Sequence, residues 1–164
     1  MYRNLTRNIY LITPVGKINV PIEFVYEDDS EAVEPLSVLK LSCNGTLYEG
    51  RSTDWLWAET FADLQNKFPH GHALMCCMTC RYGNMCPYGN WADRLYCTKE
   101  LTVTDKLALC DLFDGTDMSH REVTAFSCCE DFEFSSKEHF TYNDFALYLK
   151  EKKCINTPEN RFTE

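Results

Sequence analysis

The chain has 164 residues, about one domain's worth, and its 25 acidic against 16 basic side chains give a formal charge of −9 and a pI near 4.9. That balance repels phosphate backbones and anionic lipid, so nucleic acid and membranes are not expected partners; it serves solubility first and also suits a basic protein partner. Ten Phe, nine Tyr and three Trp supply the apolar mass of a packed core, which argues against disorder and against a disulfide mini-scaffold.

The opening segment carries Arg3 and Arg7 but only the short apolar run Ile9-Tyr10-Leu11-Ile12. That run is too brief for a signal-peptide core or a bilayer span, so a cytoplasmic protein is expected. In a reducing compartment the ten cysteines read as metal ligands, catalytic thiols or small buried hydrophobes rather than as disulfides.

Ile18, Val20, Ile22, Phe24 and Tyr26 alternate with other residues at the two-residue period of a half-buried strand. Pro21 cannot donate to a ladder, which predicts an edge position. Ile9–Thr13, followed by Pro14-Val15-Gly16, reads as its hairpin partner, and Glu27–Glu34 as an acidic connector. Leu36–Cys43 and Thr46–Glu49 flank Asn44-Gly45, a dipeptide that accepts the positive φ angles of a tight hairpin turn. Ser52, Thr53 or Asp54 can then cap a helix whose stripe is Trp57, Phe61, Leu64 and Phe68, stopped by Pro69.

Further on, Glu122–Phe134 reads as a strand with Val123, Ala125, Ser127 and Cys129 on one face and Thr124, Phe126 and Cys128 on the other. Thr141 and Asp144 can open a final helix with Phe145, Tyr148 and Leu149 as its apolar stripe, ending near Lys152 and Lys153. Residues 155–164 are expected to fray. Together these elements predict a single α+β domain over residues 1–154, an antiparallel sheet with two packed helices and a loop-rich four-cysteine metal module inserted at about 76–115.

Within that module Cys77, Cys80, Cys97 and Cys110 read C-x2-C-x16-C-x12-C. Four thiolates suit zinc and iron-sulfur centres, which prefer sulfur to water. Gly83-Asn84 and Pro87-Tyr88-Gly89-Asn90 break regular structure, and loops let ligands from separate turns converge while backbone N–H groups face the sulfurs. Tyr82, Tyr88, Trp91, Tyr96 and Phe113 supply rings to exclude water.

This spacing resembles that of high-potential iron-sulfur proteins, with a final gap one residue shorter, an aromatic two residues after the second cysteine (Tyr82) and another three after the last (Phe113). It is also similar to the cluster-bearing small subunits of certain glycyl radical enzymes, in which such a module accompanies a catalytic chain without doing its chemistry. The resemblance covers only the module. It implies a [4Fe-4S] cluster on Cys77, Cys80, Cys97 and Cys110, and a role in structure or electron transfer beside a protein partner.

Alternatives stand beside this ligand set. Cys76 competes with Cys77 for the first position, Cys86 falls inside the long gap, and His72 and Cys129 are further candidate ligands. Zinc rivals the cluster, which the spacing slightly favours, because two distant cysteines can close a tetrahedral site on a C-x2-C turn. The expected function is therefore a non-catalytic, cytoplasmic metal-binding protein that docks a protein partner. Two other functions remain open: an acidic immunity or inhibitor-type protein that neutralises a basic partner with its metal purely structural, and thiol-disulfide exchange by Cys77 and Cys80.

Overall fold

The structure is a computed structural model that describes residues 2–27, 37–53, 57–89 and 93–150. Two long strands, β1 (Tyr2–Thr13) and β2 (Gly16–Glu27), form a hairpin in which Thr13 faces Gly16 across the tip. β3 (Ser37–Cys43) and β4 (Thr46–Ser52) form a second hairpin about Asn44 and Gly45, whose φ angles of 50° and 77° are the paired positive values foreseen for that dipeptide. With β5 (Ala73–Met75) they make a five-stranded antiparallel sheet in the order β4-β3-β2-β1-β5.

Pro21 does not mark an edge. β2 lies inside the sheet, between β1 and β3. The β2–β3 ladder begins at Ile22, one residue past the proline, so Pro21 stands just outside the ladder, which requires no N–H from it. The reach of β1 also exceeds its apolar run: Tyr2–Asn8, polar and mostly exposed, is held by pairing with Pro21–Glu27 rather than by burial.

Helix α1 (Trp57–Lys67) lays Trp57, Phe61 and Leu64 on the sheet, and Phe68 follows buried, with Pro69 next in the chain. Ile9, Leu11, Ile22, Phe24, Leu39 and Leu41 meet that stripe from the strands. The approach is close at Gly50 of β4, where an added Cβ would sit 2.4 Å from the Thr60 carbonyl oxygen and 2.6 Å from Leu64 Cβ. Gln65 ties the far end of the helix to β5, donating to the His72 carbonyl at 2.9 Å and accepting from the Leu74 N–H at 2.8 Å. Of the proposed helix caps, Ser52 ends β4 and its hydroxyl donates to Glu59, while Asp54 lies outside the described residues.

A second, three-stranded antiparallel sheet joins β6 (Gly83–Asn84), β7 (Arg94–Cys97) and β8 (Glu122–Thr124). The expected strand to Phe134 therefore ends at Thr124, and the chain turns through Ala125 and Phe126 instead. A helix not foreseen, α2 (Lys106–Gly115), begins at Asp105, whose carboxylate accepts from the Ala108 N–H at 2.9 Å. The final helix is one turn, α3 (Phe145–Tyr148), with the proposed start Asp144 in a left-handed conformation before it and Leu149 extended after it. Lys152, Lys153, Trp91 and the expected tail lie outside the described residues, as does most of the Glu27–Glu34 connector.

The described chain is thus a mixed α/β protein with an antiparallel sheet and three helices. One continuous core runs from the first sheet into the second. Phe126 makes the junction, its ring 5.4 Å from Phe61 and 6.0 Å from Phe24 between centroids. Among the described residues no helix is long and apolar enough to cross a membrane.

Candidate metal centre

The chain leaves β5 into a tight knuckle. Cys76 is fully buried, Cys77–Thr79 form a single 3-10 turn, and Cys80 follows in extended conformation. Thr79 holds the turn together: its hydroxyl donates to the Leu74 carbonyl at 2.8 Å and accepts from the Cys76 N–H at 3.2 Å. Gly83 closes it, donating its N–H to the Cys80 carbonyl at 3.1 Å. An added Cβ there would stand 2.0 Å from the Cys77 carbonyl oxygen, so only glycine permits this closure. Asn143 braces the knuckle from the C-terminal side by donating to the carbonyls of Met78 at 3.0 Å and Gly83 at 2.7 Å.

The segment 125–135 grips this knuckle at both of its ends. On one side the N–H groups of Cys77 and Met78 donate to the carbonyls of Ser127 at 2.6 Å and Ala125 at 3.0 Å. On the other, the Arg81 N–H donates to the Glu133 carbonyl at 2.9 Å, the Ser135 N–H donates to the Thr79 carbonyl at 2.8 Å, and Cys80 pairs with Phe134. Between these two grips runs an irregular loop that carries Cys128 and Cys129. Side chains reinforce it outside: Arg81 pairs with Glu133 at 2.9 Å, the Tyr82 hydroxyl donates to Glu133 at 2.8 Å, and Lys99 pairs with Asp131 at 2.5 Å.

Burial dominates the electrostatics of the thiols on these two segments. Burial pushes the Cys77 thiol up, and repulsion from ionised Cys76, Cys80, Cys128 or Cys129 adds to it. Cys80 is raised chiefly by burial; backbone hydrogen bonds from Glu133 and Tyr82 oppose that rise, and Cys97 and Cys129 reinforce it. Cys128 is raised by burial and by Cys129, with Lys17 pulling the other way. Backbone donors onto a sulfur are what a thiolate ligand needs from its surroundings.

Of the expected set, Cys77 and Cys80 stand together at the knuckle, and Cys97 lies on β7 directly across from Gly83, next to Cys80. Cys110 sits on α2, where its carbonyl accepts from the Tyr88 hydroxyl at 3.5 Å and its thiol bears on Lys106. Among the alternates, Cys76 belongs to the core: burial drives its thiol to about 12, and its neighbours are Thr79 and the hydrophobic cluster. Cys86 lines a separate shallow cavity with Met85, Pro87 and Tyr142. His72 sits in the turn after α1, its Nδ1 3.4 Å from the His70 carbonyl, beside a Gly71 that rests on Pro14. Cys129 is exposed on the gripping loop with its half-buried neighbour Cys128. Cys43 is buried at the end of β3, and Cys154 lies outside the described residues.

The partnership of the knuckle with Cys128 and Cys129 escapes a reading by spacing, because it is made through backbone bonds between segments some fifty residues apart. The cue in the sequence is the vicinal pair itself. Among the described residues no three or more His, Cys, Asp or Glu side chains converge in a geometry that holds a metal ion. The knuckle nevertheless presents two thiols on one turn, gripped by a segment that carries two more, and burial makes a bare thiolate there costly. No protein-family model, no characterised protein and no solved structure matches this chain.

Proposed function

We propose that this chain is a non-catalytic metal-binding protein of a reducing, cytoplasmic compartment, with one thiolate centre anchored by Cys77 and Cys80 and a protein partner docked on its acidic surface. The observation that carries the reading is the knuckle: two cysteines on one glycine-closed turn, gripped at both ends by the backbone of residues 125–135. Bound there, zinc would staple the knuckle to its neighbours, and a [4Fe-4S] cluster would in addition carry single electrons. The chain's own residues do the rest. Gly83 and Asn143 fix the turn, and Glu133 holds Arg81 and Tyr82 over its outer side.

Thiol-disulfide exchange draws less support. Such a motif needs a thiolate made easy by a helix N-terminus, whereas Cys77 opens a single 3-10 turn and burial pushes both thiols up.

Anaerobic purification followed by elemental analysis tests the proposal. Zinc at one ion per chain, or iron and sulfide with the brown colour of a cluster, is the expected result. A folded, colourless protein free of both metals overturns it.

A further inference from the structure

In an antiparallel sheet successive residues turn their backbone N–H and C=O groups to alternate sides. The tight Asn44-Gly45 turn makes Cys43 and Thr46 a bonded pair, and the registers carry that alternation across the sheet to β1. Tyr10 and Ile12 therefore turn toward β5, with which they pair, and Tyr2, Asn4, Thr6 and Asn8 turn the same way beyond its end. The other free edges of this sheet are blunted. On β4 the Arg51 N–H donates to Asp63 at 2.8 Å and the Glu49 carbonyl accepts from Lys67 at 2.7 Å. On β5 the Leu74 N–H donates to Gln65 and its carbonyl accepts from the Thr79 hydroxyl, both at 2.8 Å. The stretch of β2 outside the β3 ladder carries Lys17 and Pro21, a cation and a residue without an N–H. Among the described residues no strand pairs with the outer side of Tyr2–Asn8, which runs in unbroken register with β2 and contains no proline.

We infer that this edge takes an extended acidic segment of a protein partner, added as a strand beside β1 and in line with β5. The inference stands apart from the metal-binding reading and does not need it. Arg3 and Arg7 are the charged side chains of β1, in a chain whose net charge is −9, and both lie with Leu5 on one face of the strand. Arg7 leans onto the edge itself, where its guanidinium donates to the Thr6 carbonyl at 3.0 Å. An incoming strand with carboxylates four residues apart sets one opposite each arginine, and an apolar residue midway between them meets half-buried Leu5. A second copy of this chain fits less well: the longest two-fold pairing sets Leu5 against Leu5 and, on both sides of it, Arg3 against Arg7.

The test is residue-resolved hydrogen exchange on the full chain, alone and with either of two capped peptides, Thr-Glu-Thr-Val-Thr-Glu-Thr or the same sequence with lysine at both glutamates. In the free protein the outward amides of Asn4, Thr6 and Asn8 are expected to exchange quickly, while those of Leu5 and Arg7, bonded within the hairpin, are protected. Millimolar acidic peptide should protect the outward amides as well, and the lysine peptide should bind roughly tenfold more weakly. Arg7→Glu is expected to reverse that order. Thr6→Pro removes an outward donor, leaves the β1–β2 ladder its bonds, and should abolish the peptide's effect with exchange in β2 and β3 unchanged; should it disturb the hairpin, Arg7→Glu still decides. Protection of Asn4, Thr6 and Asn8 in the free monomer overturns the inference, because the edge is then already filled. Equal binding of the two peptides, or no protection by the acidic one, also overturns it. So does a concentration-dependent dimer that Thr6→Pro dissolves, which assigns the edge to a second copy.

Discussion

At the scale of single residues, Cys76 and Cys77 show how adjacent identical side chains take opposite roles. Cys76 turns into the core and behaves as a small hydrophobe; Cys77 turns toward the other thiols. The sequence alone left them interchangeable, because spacing cannot say which of two neighbours faces inward. Thr79 and the Leu74 carbonyl decide it, by fixing the direction in which the turn starts. A pH dependence follows for Cys76. Its thiol is raised from 9.0 to about 12 by burial, so the unfolded chain ionises first as pH rises. The stability tied to that thiol is therefore whole below pH 9 and is lost progressively toward pH 12, a span that corresponds to roughly 4 kcal/mol. Urea melts across the alkaline range check this by comparing the parent with Cys76→Ala. The variant should start less stable through its cavity, by about 1–2 kcal/mol, and lose stability less steeply with pH. Parallel pH slopes for the two proteins would count against the assignment.

At the scale of elements, the parts legible in the sequence were those whose signals are local. Asn44-Gly45 needed only its own backbone preferences, and the stripe from Trp57 to Phe68 needed only helical spacing. What stayed hidden was set by partners. Pro21 pointed to an edge, yet β2 acquired neighbours on both sides because the ladder to β3 starts beyond the proline. Helix α2 was concealed by the Gly- and Pro-rich chain before it, although Asp105 preceding Ala108 was a capping signal in plain view. The strand expected up to Phe134 broke at Ala125 because Phe126 dives into the first sheet's core to meet Phe61 and Phe24. This makes Phe126 the element that couples the cysteine knuckle to the rest of the fold. Phe126→Ala should cost about 3–5 kcal/mol and, in hydrogen exchange, deprotect the Cys77 and Met78 amides ahead of those in β2 and β3. Uniform loss of protection across the chain would instead mean that the coupling is no more local than the core itself.

At the scale of the whole molecule, the charge of −9 was readable from composition, whereas its use depends on what the surface meets. For a basic protein partner, long-range attraction would speed encounter and fade as salt screens it. Pull-downs at low and high ionic strength are expected to recover such a partner mainly at low salt; recovery that ignores salt would assign the contact to apolar surface instead. The candidate site was half legible at this scale. Cys77 and Cys80 lie on one local turn, but the segment that grips that turn arrives from beyond α2. The grip on the knuckle by residues 125–135 also orders events during synthesis. A ribosome adding roughly 5–20 residues per second delivers Cys80 several seconds before Ala125 follows it. During that interval the nascent chain already holds every strand of its first sheet, while the Cys77–Cys80 pair has no cover and no companions from the later loop. Whatever the cell offers first, a metal ion or an oxidant, meets that pair before the backbone grip of residues 125–135 exists, so the pace of translation sets how long the knuckle stays open.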